Sequence, residues 1–553
     1  MWLEVDEIFK NYLPYYFLVF LPIFIIVSPV NPVYGASEFP VYRMQHYDLH
    51  GVSHGCRSAA VNLEAKSLTG WTTSRHCVVT RLKDITVDHF RNIKSKAGAL
   101  LVMLPENWRN LSLEDKQNYM VLENSMLIQD VPVPIYFAEY SPRLDSIISE
   151  LSYSINADDM TKSSTEALMS SVAANGYQIS VSVGTPTAQN DAKIATIQGY
   201  LPGYSLDGIT PTIAIVAHYD SFGVVPELSF GADSNGSGVA ILLELVRIFS
   251  NLYADAKTRG KHNILFLLTG GGKINYQGSK KWLEEQLDLL DGSMIQDAAY
   301  VMCLDTLASN SSIYMHVSKP PKDGSPASLV FKELKSVAAE AFPHTGVDGV
   351  HKKINLADDI LGWEHERFSI RRLPAFTLSS LKNHKNFHKS TIFDTRDSLD
   401  IKIMADNSKI IAEGLARHIY GISMGNVLGK SWDTNETHIE GWLNYLSNQP
   451  RSPQLLSDKD NVLVNILKDA FNKYLRDVKV LYVVPDKRDP DFQFYTITNG
   501  ILHVCSVKPA VFDLILTLVI IVYLIAIYLF IDKFPMLYAF VSSLTENKKV
   551  KVN

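Results

Sequence analysis

Apolar positions in this chain change their spacing several times, and each change predicts a different kind of element. Leu13 to Val27 is an apolar run broken by Pro14 and Pro22 and followed by the small pair Gly35-Ala36, the layout of a secretory h-region and its cleavage site. Residues 1–36 are expected to form a signal peptide. An uncleaved anchor is the alternative, because Glu4, Asp6 and Glu7 outweigh Lys10 where a leader is normally positive. Residues 37–165 carry short strand-like runs, such as Ala97 to Met103 and Val133 to Phe137. They predict a smaller N-terminal lobe, α/β or β-rich, bounded by the polar stretch Asn156 to Thr165. From 175 to 425, fully apolar strand runs alternate with helix-spaced ones. Thr212 to Ala217 is followed by Ile241, Leu242, Leu245, Ile248 and Phe249, then by strand Asn263 to Leu268, helix Gly278 to Leu290 and strand Tyr300 to Leu304. Amphipathic helices are expected again over 326–342 and 403–420. That alternation predicts an α/β fold: a layered sheet with helices on both faces. Residues 430–508 show one amphipathic helix, through Val462, Leu463, Ile466, Leu467, Ala470 and Phe471, and a strand pair near Lys479 to Val484 and Phe492 to Thr498. They read as a membrane-proximal segment packed between the core and the bilayer.

Val511 to Ile531 predicts a C-terminal transmembrane helix, since ~21 residues at ~1.5 Å each cover the ~30 Å of a bilayer core. Only Asp513 in this run is charged, and Lys533 follows it almost at once. Together with the leader, this makes a single-pass protein with 37–508 outside the cytosol and a cytosolic tail over 532–553. Lys533, Lys548, Lys549 and Lys551 agree with that orientation. Lys549 and Lys551 also form a candidate signal for retrieval to the endoplasmic reticulum, the alternative being a plain stop-transfer charge cluster.

The 553 residues are 46% hydrophobic and 20% charged, which excludes a disordered tail protein and a collagen-like fibre. A net charge of −6 gives no basic excess for phosphates, so no nucleic acid is expected as a partner. Four cysteines exclude a disulfide scaffold, although Cys56 and Cys77 are a candidate pair. Asn110, Asn235, Asn310 and Asn435 open glycosylation triplets, which a lumenal domain would expose.

Ligand-type residues fall where the strands of the 175–425 unit end, the place where open α/β sheets build their sites. His218-Tyr219-Asp220 directly follows the buried strand. A histidine ligand needs its second ring nitrogen held, and Asp220 is the expected holder. Asp233-Ser234-Asn235-Gly236-Ser237-Gly238 is an acidic turn that opens a helix; Asp305 ends Val301 to Leu304; His388 precedes Asp394-Thr395. Each alone reads more readily as a cap, a turn residue or an ordinary histidine. Their order is far more specific.

In that order the chain resembles the co-catalytic two-zinc aminopeptidases and the pseudo-enzymes that share their fold. The resemblance covers roughly residues 175–425. It puts His218, Asp233, Asp305 and His388 at four of five zinc-ligand positions and Asp220 at the supporting carboxylate. The family carries two adjacent glutamates ahead of a Gly-Ser, the first a general base and the second a zinc ligand. Counting back from Gly278-Ser279, those positions hold Gly272 and Lys273. Glycine offers no proton acceptor, so the ~10²–10⁴ contributed by a general base has no source. Lys273 puts an ammonium where a divalent ion would sit, and is expected to neutralise Asp233 and Asp305 in its place. No catalytic residue, metal or cofactor is therefore expected.

The arrangement resembles most the membrane-anchored, catalytically degenerate branch of the superfamily, the nicalin-like proteins, with nicastrin-like proteins beside them. That resemblance implies a non-catalytic lumenal scaffold in an endoplasmic reticulum membrane complex, partnered by a Nodal-modulator-like protein and a small multi-pass protein. It also implies a role in multi-pass membrane protein biogenesis at the translocon. Two alternatives stand beside it: a residual mono-zinc peptidase or metal-dependent peptide binder, using another base such as Glu227, and a substrate-gating subunit of a membrane protease.

Overall fold

The computed structural model describes residues 36–158, 176–206, 208, 210–289, 293–429, 432–497, 499–507 and 510–549. The expected signal peptide, except Ala36, and Lys551 lie outside the described residues. An eight-stranded sheet forms the centre. Its parallel heart is Ala375–Ser379, Ala298–Leu304, Thr212–His218 and Asn263–Thr269 in spatial order. Ile194–Leu201 and then Arg476–Val483 continue it antiparallel on one side; Ile313–Val317 and then Val347–His351 extend it on the other.

The unbroken apolar runs follow from cover on both faces. Ile213, Ile215 and Ala217 pack under helices Gly238–Ala254, Pro326–Ala341 and Ile401–Tyr420, while Ala214 and Val216 face Trp282, Leu283 and Phe368 on helices Gln277–Asp288 and His365–Ile370. Ile401–Tyr420 begins where the Asp400 carboxylate accepts from Lys402 N–H at 2.8 Å and ends at Gly421, whose φ of 66° suits a residue without a Cβ. The parallel strands therefore point His218, the turn after Thr269, Asp305 and Ser379 toward one end of the sheet.

The N-terminal lobe is a closed seven-stranded barrel with a five-stranded sheet beside it. Neither is built from 37–165 alone: Gly176–Val181 and Gly500–Val507 complete the barrel, and Ala188–Gln189 and Phe492–Tyr495 belong to the second sheet. The strand pair expected within 430–508 does not form. Arg476–Val483 lies beside Ile194–Leu201 in the large sheet, and Phe492–Tyr495 pairs with Ala188–Gln189 and His46–Leu49. A period of two marks a strand without naming its partner.

The expected Cys56–Cys77 bridge is also absent. Both are buried free thiols in separate cores, and Cys56 Sγ donates instead to the carbonyls of Ser58 and Val133 at 3.1 and 3.2 Å. The terminal helix runs from Ala510 to Lys549, and its apolar stretch Leu514–Phe534, 21 residues with mean hydropathy 3.1, fits a single membrane span.

Candidate functional site

His218 closes the central strand and is almost wholly buried. Its Nδ1 stands 3.5 Å from Glu364 Oε2, whose other oxygen accepts from Thr269 Oγ1 at 2.7 Å and Ser279 Oγ at 2.5 Å. Glu364, not Asp220, is thus the carboxylate against the ring. Asp220 is spent elsewhere, because its two oxygens accept from the N–H groups of Gly272 and Lys273 at 2.8 and 2.9 Å. That grip draws the 272–273 turn onto the strand end. A Cβ added to Gly272 would lie 2.3–2.5 Å from the His218 side chain, so only glycine fits there.

Gly231, at φ 60°, starts the acidic turn, and the Asp394 carboxylate accepts from Asp233 N–H at 3.0 Å and Ser234 N–H at 2.7 Å. Asp233 Oδ1 is held by Ser237 Oγ at 2.7 Å and Ala308 N–H at 2.9 Å. His388 Nε2 lies 3.5 Å from Asp233 Oδ2 and 3.7 Å from Asp394 Oδ1. Burial works against the His388 imidazolium, but Asp394 and Asp233 outweigh it and hold its pKa up at about 8. Burial in turn pushes the Asp394 carboxyl up, against the pull of His388.

The charge compensation differs from the expected one. Asp305 Oδ2 is paired with Lys389 Nζ at 3.0 Å, and Thr306 Oγ1 donates to Oδ1 at 2.7 Å. Lys389 Nζ also donates to Gly362 O at 3.0 Å and lies 3.9 Å from the centre of the Trp363 ring. Lys273 makes no ion pair within 4.0 Å among the described residues; its ammonium donates to Ser234 Oγ and Lys389 O, both at 2.6 Å. Burial would raise the Asp305 carboxyl, yet Lys389, His218 and Lys273 hold it well below the usual carboxylate range. Burial, reinforced by Lys389 and opposed by Asp305, lowers Lys273 to about 8.

Four of the expected ligand positions, His218, Asp233, Asp305 and His388, therefore converge at the strand ends. They do not fit a zinc centre. Among the described residues no three histidine, cysteine or carboxylate side chains are grouped to hold a metal ion, and Lys389 occupies the open side of Asp305. His218 Nε2 is left without a hydrogen-bond partner among the described residues. Glu227, the alternative base, sits in the single turn Pro226–Leu228, where its cationic neighbour is Arg43.

Asn235 is no glycan acceptor in this fold. It is fully buried; its Nδ2 donates to His218 O at 3.1 Å and Leu304 O at 2.8 Å, while Oδ1 accepts from Thr306 N–H at 3.1 Å. Asn110, Asn310 and Asn435 are exposed. Two supports went unread in the sequence. Arg451, fully buried in a Pro-Arg-Ser-Pro loop, donates to the carbonyls of Tyr219, Phe230, Gly231 and Leu446 and so fixes the loops beneath the acidic turn. Glu123, from helix Leu113–Leu127, accepts from Val224 N–H at 2.7 Å, Ile392 N–H at 3.0 Å and the Thr391 hydroxyl.

The model of peptidase family M28 matches residues 199–415, the stretch that holds this cluster. Over the whole length, the chain is 42% identical to the BOS complex subunit NCLN of Homo sapiens, covering 99% of this chain and 100% of that one. It belongs to the nicalin family. The Danio rerio member is also 42% identical, over 99% of each chain, and the Caenorhabditis elegans protein named nicalin is 29% identical over 89% of each. The crystal structure of the γ-secretase component nicastrin superposes with a TM-score of 0.57 at 10% identity, over 86% of this chain and all of that one, so the two share a fold. Family members thus carry the name of a complex subunit on a peptidase-like fold, which marks a non-catalytic branch of a peptidase family.

Proposed function

We propose that this chain is a non-catalytic lumenal scaffold subunit of an endoplasmic reticulum membrane complex, acting with a Nodal-modulator-like protein and a small multi-pass protein in multi-pass membrane protein biogenesis at the translocon. The observation that carries the loss of catalysis is the 3.0 Å ion pair between Lys389 and Asp305, which sets a fixed cation against a carboxylate that a metal would need. Gly272 and Lys273 stand at the general-base and ligand positions, and the glycine is held so tightly against His218 that no acidic side chain fits. With no base and no metal-bound water, hydrolysis loses its nucleophile.

The complex role rests on the family members' name together with the apolar helix Leu514–Phe534. A lumenal orientation leaves Asn110, Asn310 and Asn435 as exposed acceptors, and Lys549 with Lys551 as the retrieval signal.

The test is isolation of the tagged full chain from native membranes in mild detergent. Zinc, aminoacyl-peptide hydrolysis and the two expected partners are then quantified in one preparation. Co-purification of both partners in stoichiometric amounts, without zinc or hydrolysis, is the expected result. Bound zinc together with hydrolysis would overturn the reading.

A further inference from the structure

Val347–His351 is the terminal strand of the large sheet, paired among the described residues only with Ile313–Val317. Two hydrogen bonds fix the phase of that parallel ladder: Ile313 N–H donates to Gly346 O at 2.8 Å, and Lys352 N–H to Val317 O at 3.0 Å. In a parallel pair, alternate residues of a strand turn both backbone groups toward one neighbour. Asp348 and Val350 therefore face the sheet, and the N–H and C=O groups of Val347, Gly349 and His351 point off its edge.

Natural edges of this kind are blunted by short length, charged side chains, proline or a bulge. This strand is five residues long, and its one charge, Asp348, lies 3.7 Å from Lys335. The strongest devices are lysine, proline and a bulge in the strand itself. This strand has none of the three: it reads Val-Asp-Gly-Val-His, in unbroken register with its neighbour.

Beside the open edge lies a cavity of about 420 Å³, lined by the buried Met315, by Phe331, Gly349 and His351, and by the exposed Lys332, Lys335 and Asp323. A cavity in the ~300–1,000 Å³ range accepts a large side chain with room to spare. The absence of a side chain at Gly349 keeps the strand level with the mouth, since the nearest atom a Cβ would meet is Phe331 Cζ at 3.5 Å.

The surroundings are basic in a chain whose net charge is −6. Lys319, Lys322, Lys332, Lys335 and Lys353 are all exposed here, against the exposed Asp323 and Asp348. Among the described residues only Lys335 is partly answered by a carboxylate, at 3.7 Å from Asp348 Oδ1.

We propose that this edge docks an extended, acidic segment of a protein partner. The segment adds as a further strand to Val347–His351, seats an apolar side chain in the cavity and sets its carboxylates against the lysines. Backbone pairing supplies affinity in such strand addition, and the pocket and charges supply choice of partner. None of these residues belongs to the cluster around Asp305, so the inference stands whether or not the chain is catalytic.

Fluorescence anisotropy on the full chain in detergent tests it, with a short labelled peptide alternating valine and glutamate as the probe. A valine–lysine counterpart and a valine–glutamate probe N-methylated at alternate residues serve as controls. The acidic probe is expected to bind at least ~10-fold tighter than either control. Lys332→Glu with Lys335→Glu weakens it at least ~10-fold, and so does Gly349→Pro, which removes one outward N–H and no ladder bond. Equal binding of the acidic and basic probes would overturn the proposal. So would full binding of the N-methylated probe, an outcome that needs no variant to fold.

Discussion

Lys389→Met isolates the charge that holds the strand-end cluster together. Methionine keeps a flexible apolar stem over Trp363 and removes only the ammonium 3.0 Å from Asp305 Oδ2. At that separation and an effective dielectric of ~20, the attraction is ~5–6 kcal/mol before desolvation is counted. Asp305 is 1% exposed, so removing its partner strands a buried carboxylate with the Thr306 hydroxyl as its remaining close donor. The net cost of breaking such a pair is about 3–5 kcal/mol. Lys273 acts on Asp305 only through space, because it makes no ion pair with it and two of its three N–H groups go to Ser234 Oγ and the Lys389 carbonyl.

Lys273→Met should therefore cost less, about 1–3 kcal/mol for two hydrogen bonds from a charged donor whose charge burial already disfavours. For a unit of this size, ~2–4 °C per kcal/mol makes the Lys389→Met drop at least ~6 °C in thermal unfolding of the full chain, and the Lys273→Met drop about half of that or less. Adding Asp305→Asn to Lys389→Met removes the stranded charge and should return most of the loss. If Lys273→Met costs as much as Lys389→Met, or if the double variant is no more stable than Lys389→Met alone, the assignment of the counter-ion is wrong.

Two further outcomes are expected. Gly272→Glu puts a carboxylate at the proposed general-base position but drives its Cβ to within 2.3–2.5 Å of the His218 side chain. It should destabilise by ~1–3 kcal/mol or more and yield no peptide hydrolysis even with added zinc; any turnover above the parent would refute the reading. Glu123 has its carboxyl pushed up to about 7 by burial, against hydrogen bonds from Thr391, Val224 and Ile392. Its folded pKa lies above the unfolded one, so its stabilising contribution is complete below pH ~4.5 and is lost as pH rises through 7. Glu123→Gln should flatten the fall in stability between pH 5 and 7, by up to ~1.4 kcal/mol per pH unit, in urea unfolding at a series of pH values. Parallel profiles for parent and variant would count against the assigned titration.

The central sheet was legible because parallel strands covered on both faces must be apolar throughout, and few other elements write Ile213-Ala214-Ile215-Val216-Ala217. Strand ends then located His218 and Asp305, while Asp233 and His388, which sit in turns, were placed by the order that the resemblance implies. What failed was partner choice. Asp220 sits two residues from His218, yet it serves the backbone of the 272–273 turn, and the carboxylate facing the ring comes from Glu364, far along the chain. A signal was present, since Trp363-Glu364-His365-Glu366 is a carboxylate–histidine–carboxylate run, but it sits in a stretch with no strand to mark it as a site. Lys389 carried even less signal, because a lysine beside a polar loop histidine reads as solvated. Only Gly362 O and the Trp363 face, folded over from another loop, draw its ammonium inward onto Asp305.

That difference in origin decides how such a centre behaves. A metal-held cluster gains its stability from a separate species, so it weakens when the metal is chelated and when protons compete for the ligands. A cluster held by Lys389 carries its cation on the chain, and Asp305 is kept ionised well below the usual carboxylate range, so the pair persists at any metal concentration. The segments it joins are Gly362 to Glu364, Asp305 and His388-Lys389. Removing either partner would cost about 3–5 kcal/mol, so the pair couples these loops to the strand end without a separate ion.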